Sequence, residues 1–138
     1  MSTRGTAYFE LQESSGGDPV VVGRIGIPRD GYPSWFGLEV CKIISGVRID
    51  GSFEGSAGDE RNRRCFRNLE GVILDILHNI PSDYYFDDEY IYRFIFTRGK
   101  GEGSPYYVED IARVEMQKKY GSENFSGTFD EFRAFCKN

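Results

Sequence analysis

Histidine is almost missing from this chain. His78 is the single one, so an imidazole metal site or a His-activated nucleophile would have to be built on that position. No nucleophile spacing points to it, and a helix-end histidine near the last carbonyls explains it better. Cysteine is scarce and odd in number: Cys41, Cys65 and Cys136 lie far apart among apolar neighbours and read as buried free thiols of a reducing compartment. No apolar run approaches the roughly 20 residues that span a bilayer, and the first residues lack the apolar core of a secretory leader. Membrane association is therefore not expected, and the location expected is cytoplasmic. Positive charge is also in deficit, with 17 Lys and Arg against 22 Asp and Glu and a net charge of −5. That balance works against direct nucleic-acid binding and suits a protein partner with a basic surface.

Aromatic residues and glycine are plentiful: 11 Phe, 9 Tyr and 17 Gly. In 138 residues they predict one domain over 1–138, with large flat side chains filling a single core and many tight connections. Thr6, Tyr8 and Glu10 alternate with Ala7, Phe9 and Leu11, and Val20 to Ile27 is rich in β-branched residues. With the turn at 14–18 between them, these two segments predict an N-terminal hairpin. Ser34 is placed to cap a helix from Trp35 to Ser45, closed by Gly46. Apolar residues nearly surround that helix, so it belongs against a sheet or against a second copy in a homo-oligomer. After a glycine-marked loop at 50–58, the three- and four-residue spacing of Cys65, Phe66, Leu69, Val72, Ile73, Ile76 and Leu77 predicts an amphipathic helix from Asp59 to about Leu77.

Pro81 ends that helix, and Tyr84 to Thr97 reads as extended, with Tyr84, Phe86, Tyr90, Tyr92, Phe94 and Phe96 on one face that packs inward. Residues 98–104 read as a glycine loop. They do not read as a phosphate cradle, because Pro105 and an extended pair follow where a helix would be needed. Pro105 to Val108 could begin a strand, while 109–120 fits helix or strand equally. Thr128 and Glu131 have capping-box spacing before the stripe Phe129, Phe132, Phe135 and Cys136, which predicts a short terminal helix. The fold class is α+β: an antiparallel sheet of about four strands packed against two main helices, with a short C-terminal helix.

Arg29-Asp30-Gly31-Tyr32, flanked by Pro28 and Pro33, closes the second strand and opens the first helix. The prolines fix φ, and Gly31 is the residue expected to take positive φ. With Ser2-Thr3-Arg4-Gly5 at the start and the apolar strand before the turn, the chain resembles a small uncharacterised domain of phages and bacteria. Members of that family begin Met-Ser-Thr-Arg and carry Asp-Gly-Tyr-Pro after the second strand. An Asp-x-Glu-Tyr-x-Tyr strand after the long helix is a looser likeness, matched here by Asp87 to Tyr92. The resemblance implies a viral or mobile-element setting in a bacterial host, and no reaction. Where the family commonly has Tyr-Arg-His before the turn, this chain has Gly26-Ile27-Pro28-Arg29, so a role for that histidine has no counterpart here.

Three groups are candidates for binding chemistry. Asp83, Asp87, Asp88 and Glu89, interleaved with Tyr84 and Tyr85, combine long-range attraction for a basic patch with rigid amphipathic contact area. Their spacing matches no metal-loop pattern, and no metal or cofactor is expected. Arg61, Arg63, Arg64 and Arg67, near the expected helix start, could hold a phosphate or nucleotide, although Glu60 and Asp59 could equally make them a solvated face. Arg29, Asp30, Gly31 and Tyr32 form an exposed corner of the kind that often carries function. The reading that follows is a small acidic phage-type binding protein, not an enzyme, that obstructs a host defence protein. The alternative is a nucleotide-ligand protein, sequestering or hydrolysing, that uses the arginines and tyrosines.

Overall fold

The architecture comes from a computed structural model that describes residues 3–45, 47–49, 64–66, 69–83, 86, 89–100, 107–121 and 123–137, with 47–49, 64–66, 100 and 107–110 described by backbone alone. The alternating first segment forms β1 (Gly5–Glu13), antiparallel to β2 (Val20–Ile27). Their turn places Gly16 and Gly17 at φ 107° and 92°, a region that glycine enters without a Cβ penalty. The register slips once after Phe9, so that Glu10 faces Val21, and such a bulge bends and twists the strand.

Three further strands complete the sheet: β5 (Tyr90–Lys100), β6 (Tyr107–Lys118) and β7 (Asn124–Gly127), in the order β2-β1-β5-β6-β7. β1 and β5 run parallel, with Gly5 opposite Tyr90 and Phe9 opposite Phe94, while the other pairings are antiparallel. The sheet is therefore mixed and five-stranded, which corrects the expected antiparallel sheet of four. A parallel neighbour requires a long crossover, and pairing at such separation leaves no local pattern in the sequence. Arg98, Gly99 and Lys100, expected in a loop, pair with Glu109, Val108 and Tyr107. The ambiguous segment 109–120 is strand as far as Lys118. Residues 101–104 of the expected glycine loop, the loop 50–58 and Gly46 lie outside the described residues.

Tyr32, and not Ser34, precedes the first helical residue. Its carbonyl accepts from the amides of Trp35 and Phe36 at 3.1 and 2.9 Å, and Pro33 has no amide that needs a partner. A π-type turn, Pro33–Gly37, in which the Leu38 amide reaches back to the Pro33 carbonyl, leads into α1 (Leu38–Ser45). The second helix is shorter than its apolar spacing suggested. α2 spans Leu69–Asn79, and Arg64–Phe66 forms β4, parallel to β3 (Val47–Ile49) in a separate two-stranded sheet. Cys65 and Phe66 continue the three-and-four spacing by arithmetic, yet two apolar residues serve a short strand as well, and backbone pairing decides the matter. Leu77, expected in the buried stripe, is exposed. The capping box forms as expected on α3 (Phe129–Cys136): the Glu131 amide donates to the Thr128 hydroxyl at 3.2 Å and the Thr128 amide to the Glu131 carboxylate at 2.9 Å.

Among the described residues, α1, α2 and α3 all cover one face of the sheet. Phe9 stacks on Phe94 at 5.3 Å, Phe36 lies 5.0 Å from Tyr92, and Phe132 of α3 meets Tyr92 and Phe94 edge-on at 6.2 and 5.8 Å. The aromatic face of β5 therefore organises the core, in the edge-to-face and offset geometries that aromatic quadrupoles favour. The opposite face carries an ionic ladder. Arg93 donates from Nε and Nη2 to both oxygens of Glu10 at 2.6 and 2.7 Å, and from Nη1 to Glu115 at 2.8 Å, while Arg113 reaches the other Glu115 oxygen at 2.6 Å. Glu10 is buried there, as are Thr6 and Ile95, so this face also is partly closed to solvent. Among the described residues no helix is long and apolar enough to cross a membrane.

Candidate functional site

The two candidate segments, far apart in sequence, meet at one end of the sheet around the first residues of β1. The Gly31 amide donates to the Thr3 carbonyl at 3.0 Å, and the Tyr90 amide to the Arg4 carbonyl at 3.3 Å. The Arg4 guanidinium lies 3.8 Å from the Asp83 carboxylate. Asp83 adds a single antiparallel bridge to β2, its amide donating to the Gly26 carbonyl at 3.1 Å. Phe86, expected on the inward aromatic face, is instead exposed beneath the Arg24 guanidinium, 3.9 Å from the ring centroid, in cation–π geometry. The Glu89 carbonyl accepts from the Lys119 amide at 2.9 Å. Tyr84, Tyr85, Asp87 and Asp88 lie outside the described residues.

At the turn it is Asp30, with φ 52°, that takes the left-handed conformation. This corrects the expectation for Gly31. Asp tolerates that region better than most residues, so Asp-Gly offers the turn two candidates and the chain uses the first. Gly31 is needed for a different reason. A Cβ there would stand 3.2 Å from the Thr3 carbonyl oxygen and 3.3 Å from the Arg4 carbonyl carbon, both backbone atoms. The Tyr92 hydroxyl donates a short hydrogen bond to the Gly31 carbonyl. Burial, ahead of the nearby Cys136, Tyr90 and Glu123, pushes the Tyr92 phenol well above its ordinary range, which keeps it protonated as the donor. Arg29 is exposed. Tyr32, expected to pack under the helix, stands exposed at the rim with its hydroxyl 3.2 Å from Asp30 Oδ1.

Beside this corner opens a groove of about 410 Å³ lined by Tyr32, Pro33, Ser34, Tyr90, Glu123 and Phe135. Three aromatic rings and one carboxylate line it. Ring faces attract cations through their quadrupole, and a carboxylate adds a formal charge, so the lining suits an ammonium or guanidinium group. Lys118 already places its Nζ 5.6 Å from the Tyr90 ring. The sequence did not single out this groove. Tyr90 and Phe135 stand in apolar stripes of the sequence, Glu123 belongs to none of its patterns, and no spacing rule joins β5, the β6–β7 turn and α3.

The arginines stand differently from their expected place. Arg64 lies on β4, five residues before α2 begins at Leu69, and not at the start of that helix. Arg61, Arg63 and Arg67 are outside the described residues. His78 lies in the last turn of α2 and is exposed. Among the described residues no three or more of His, Cys, Asp and Glu group as a metal site. No family model, curated protein or solved structure matches the chain.

Proposed function

We propose that this chain is a small acidic binding protein that acts by protein–protein contact on a partner with a basic surface. In the phage-type setting that its turn and N-terminus resemble, the target is a host defence protein and the outcome is inhibition. The observation that carries the reading is the convergence at one end of the sheet. The Asp30-Tyr32 rim, the aromatic groove with Glu123, and Asp83 and Glu89, the two ends of the acidic segment, surround the same strand starts. A lysine or arginine of the partner would enter the groove against Tyr32 and Phe135, while Asp87 and Asp88 draw it in from a distance. The net charge of −5 acts in the same direction.

The test is affinity capture from a bacterial host with two baits, the wild-type chain and Asp87→Lys/Asp88→Lys. The expected result is a basic protein retained at low salt by the first bait and lost from the second, with both baits folded by circular dichroism. Equal retention by both would remove this surface from the reading. The alternative nucleotide ligand predicts that adding a nucleotide raises the melting temperature by mass action, and that Arg63→Ala/Arg67→Ala abolishes the rise. The protein-binding reading expects no rise.

A further inference from the structure

Cys41 on α1 and Cys136 on α3 are far apart in sequence, carry free thiols and are buried. The fold brings them into contact. A Cβ on Gly37 would stand 2.6 Å from the Cys136 sulfur and 3.2 Å from the Phe132 ring, so this sulfur lies flat against the backbone of the π-type turn, where only a glycine leaves room. Cys41 follows Gly37 by four residues, one turn further along the same helical face. The two thiols hydrogen-bond to each other. That bond is the main cause lowering Cys41 below its ordinary thiol range, with the cations Arg133 and Lys137 adding to it, while the same bond and burial push Cys136 up. Of the two buried thiols, Cys41, with Arg133 and Lys137 nearby, is the more readily ionised and so the one to attack first.

We propose that Cys41 and Cys136 form a reversible disulfide that fastens α3 to α1, with a low-molecular-weight disulfide of the glutathione type as oxidant. The Cys41 thiolate attacks one sulfur of the oxidant, forming a mixed disulfide and expelling the first small thiolate. Cys136, losing its proton, then attacks the Cys41 sulfur and expels the second. One disulfide is reduced to two thiols, which take up both protons, and the protein loses two electrons as its own disulfide forms. Because both sulfurs are buried, the exchange requires α3 to lift. This helix, two turns long, must therefore open locally without global unfolding. Phe135, next to Cys136, is a wall of the aromatic groove, so the bridge would fix that wall against Pro33 and Ser34. The disulfide itself does not depend on what the groove binds.

The experiment uses the Cys65→Ser chain in native buffer with glutathione disulfide, read by intact mass and a non-reducing peptide map. The expected product has lost two hydrogens, links the Cys41 and Cys136 peptides, unfolds at a higher temperature than the reduced form, and returns to the starting mass with a dithiol. Adding Cys136→Ser should stop the reaction at one stable glutathione adduct on Cys41. Wild-type chain mapped with Cys65 still open to alkylation gives the same readout, so the result does not hinge on the folding of one variant. No cross-link, a glutathione adduct that persists with both cysteines present, or a bridge that forms only in unfolding urea would each overturn the proposal.

Discussion

At the scale of single residues, Asp30 and Gly31 divide the work of the turn. The positive φ belongs to Asp30, so Asp30→Gly removes strain and forfeits only an exposed hydrogen bond to Tyr32. Its stability should stay within about 0.5 kcal/mol of wild type. Gly31 faces backbone that has no rotamer by which to withdraw. Gly31→Ala must push the start of β1 away from the turn, at a cost of about 2 kcal/mol, and Gly31→Val more. Urea denaturation of the three variants checks the order; a sensitive Asp30→Gly beside a tolerant Gly31→Ala would reverse this account. The turn itself was legible, since Pro28, Asp30, Gly31 and Pro33 each carry turn chemistry. Which of two adjacent residues takes the left-handed conformation was not, because the packing of Gly31 on Thr3 and Arg4 settles it.

At the scale of elements, legibility followed how local the cause was. The α3 capping box depends on a Thr and a Glu three residues apart, and both sequence and structure show it. The expected helix from Asp59 failed at Arg64–Phe66 because the cause, pairing with Val47–Ile49, lies elsewhere in the chain. Thr128→Ala should cost about 1 kcal/mol as a lost N-cap, measured by urea denaturation. Acid should act on the same helix. Hydrogen bonds from the Thr128 amide and hydroxyl hold the Glu131 carboxyl below its ordinary range. A depressed carboxylate adds stability above its unfolded pKa and loses it as pH falls through the lower, folded value. The acid limb of the stability profile should therefore be shallower in Thr128→Ala than in wild type, and parallel profiles would show that the box is not the acid-sensitive element.

For the whole molecule, the β1–β5 pairing joins the N-terminal hairpin to the β5–β6–β7 meander, and both halves stand on it. Hairpin and aromatic strand were each readable, but their adjacency was not, since no periodicity encodes which distant strand is a neighbour. The pairing is fastened on both faces: Phe9 stacks on Phe94 beneath the helices, and Glu10 takes two hydrogen bonds from Arg93 on the other side. Glu10→Gln leaves Arg93 without its buried carboxylate and should cost about 2 kcal/mol. Amide hydrogen exchange separates this effect from a local one. β1 and β5 each lie between two neighbouring strands and contain fully buried Phe9, Tyr92 and Phe94, so their amides should exchange only on global unfolding. β7 pairs on one side, over Val114 to Gln117, and α3 is two turns long, so both should exchange by local opening. Glu10→Gln should then accelerate β1 and β5 by about 30-fold, the factor that corresponds to 2 kcal/mol, and leave β7 and α3 nearly unchanged. Thr128→Ala should accelerate α3 while its small global effect reaches the central strands only weakly. Uniform acceleration of every element by Glu10→Gln would mean that the edges are no less stable than the centre, and that the parallel pair is not the last part of the sheet to open.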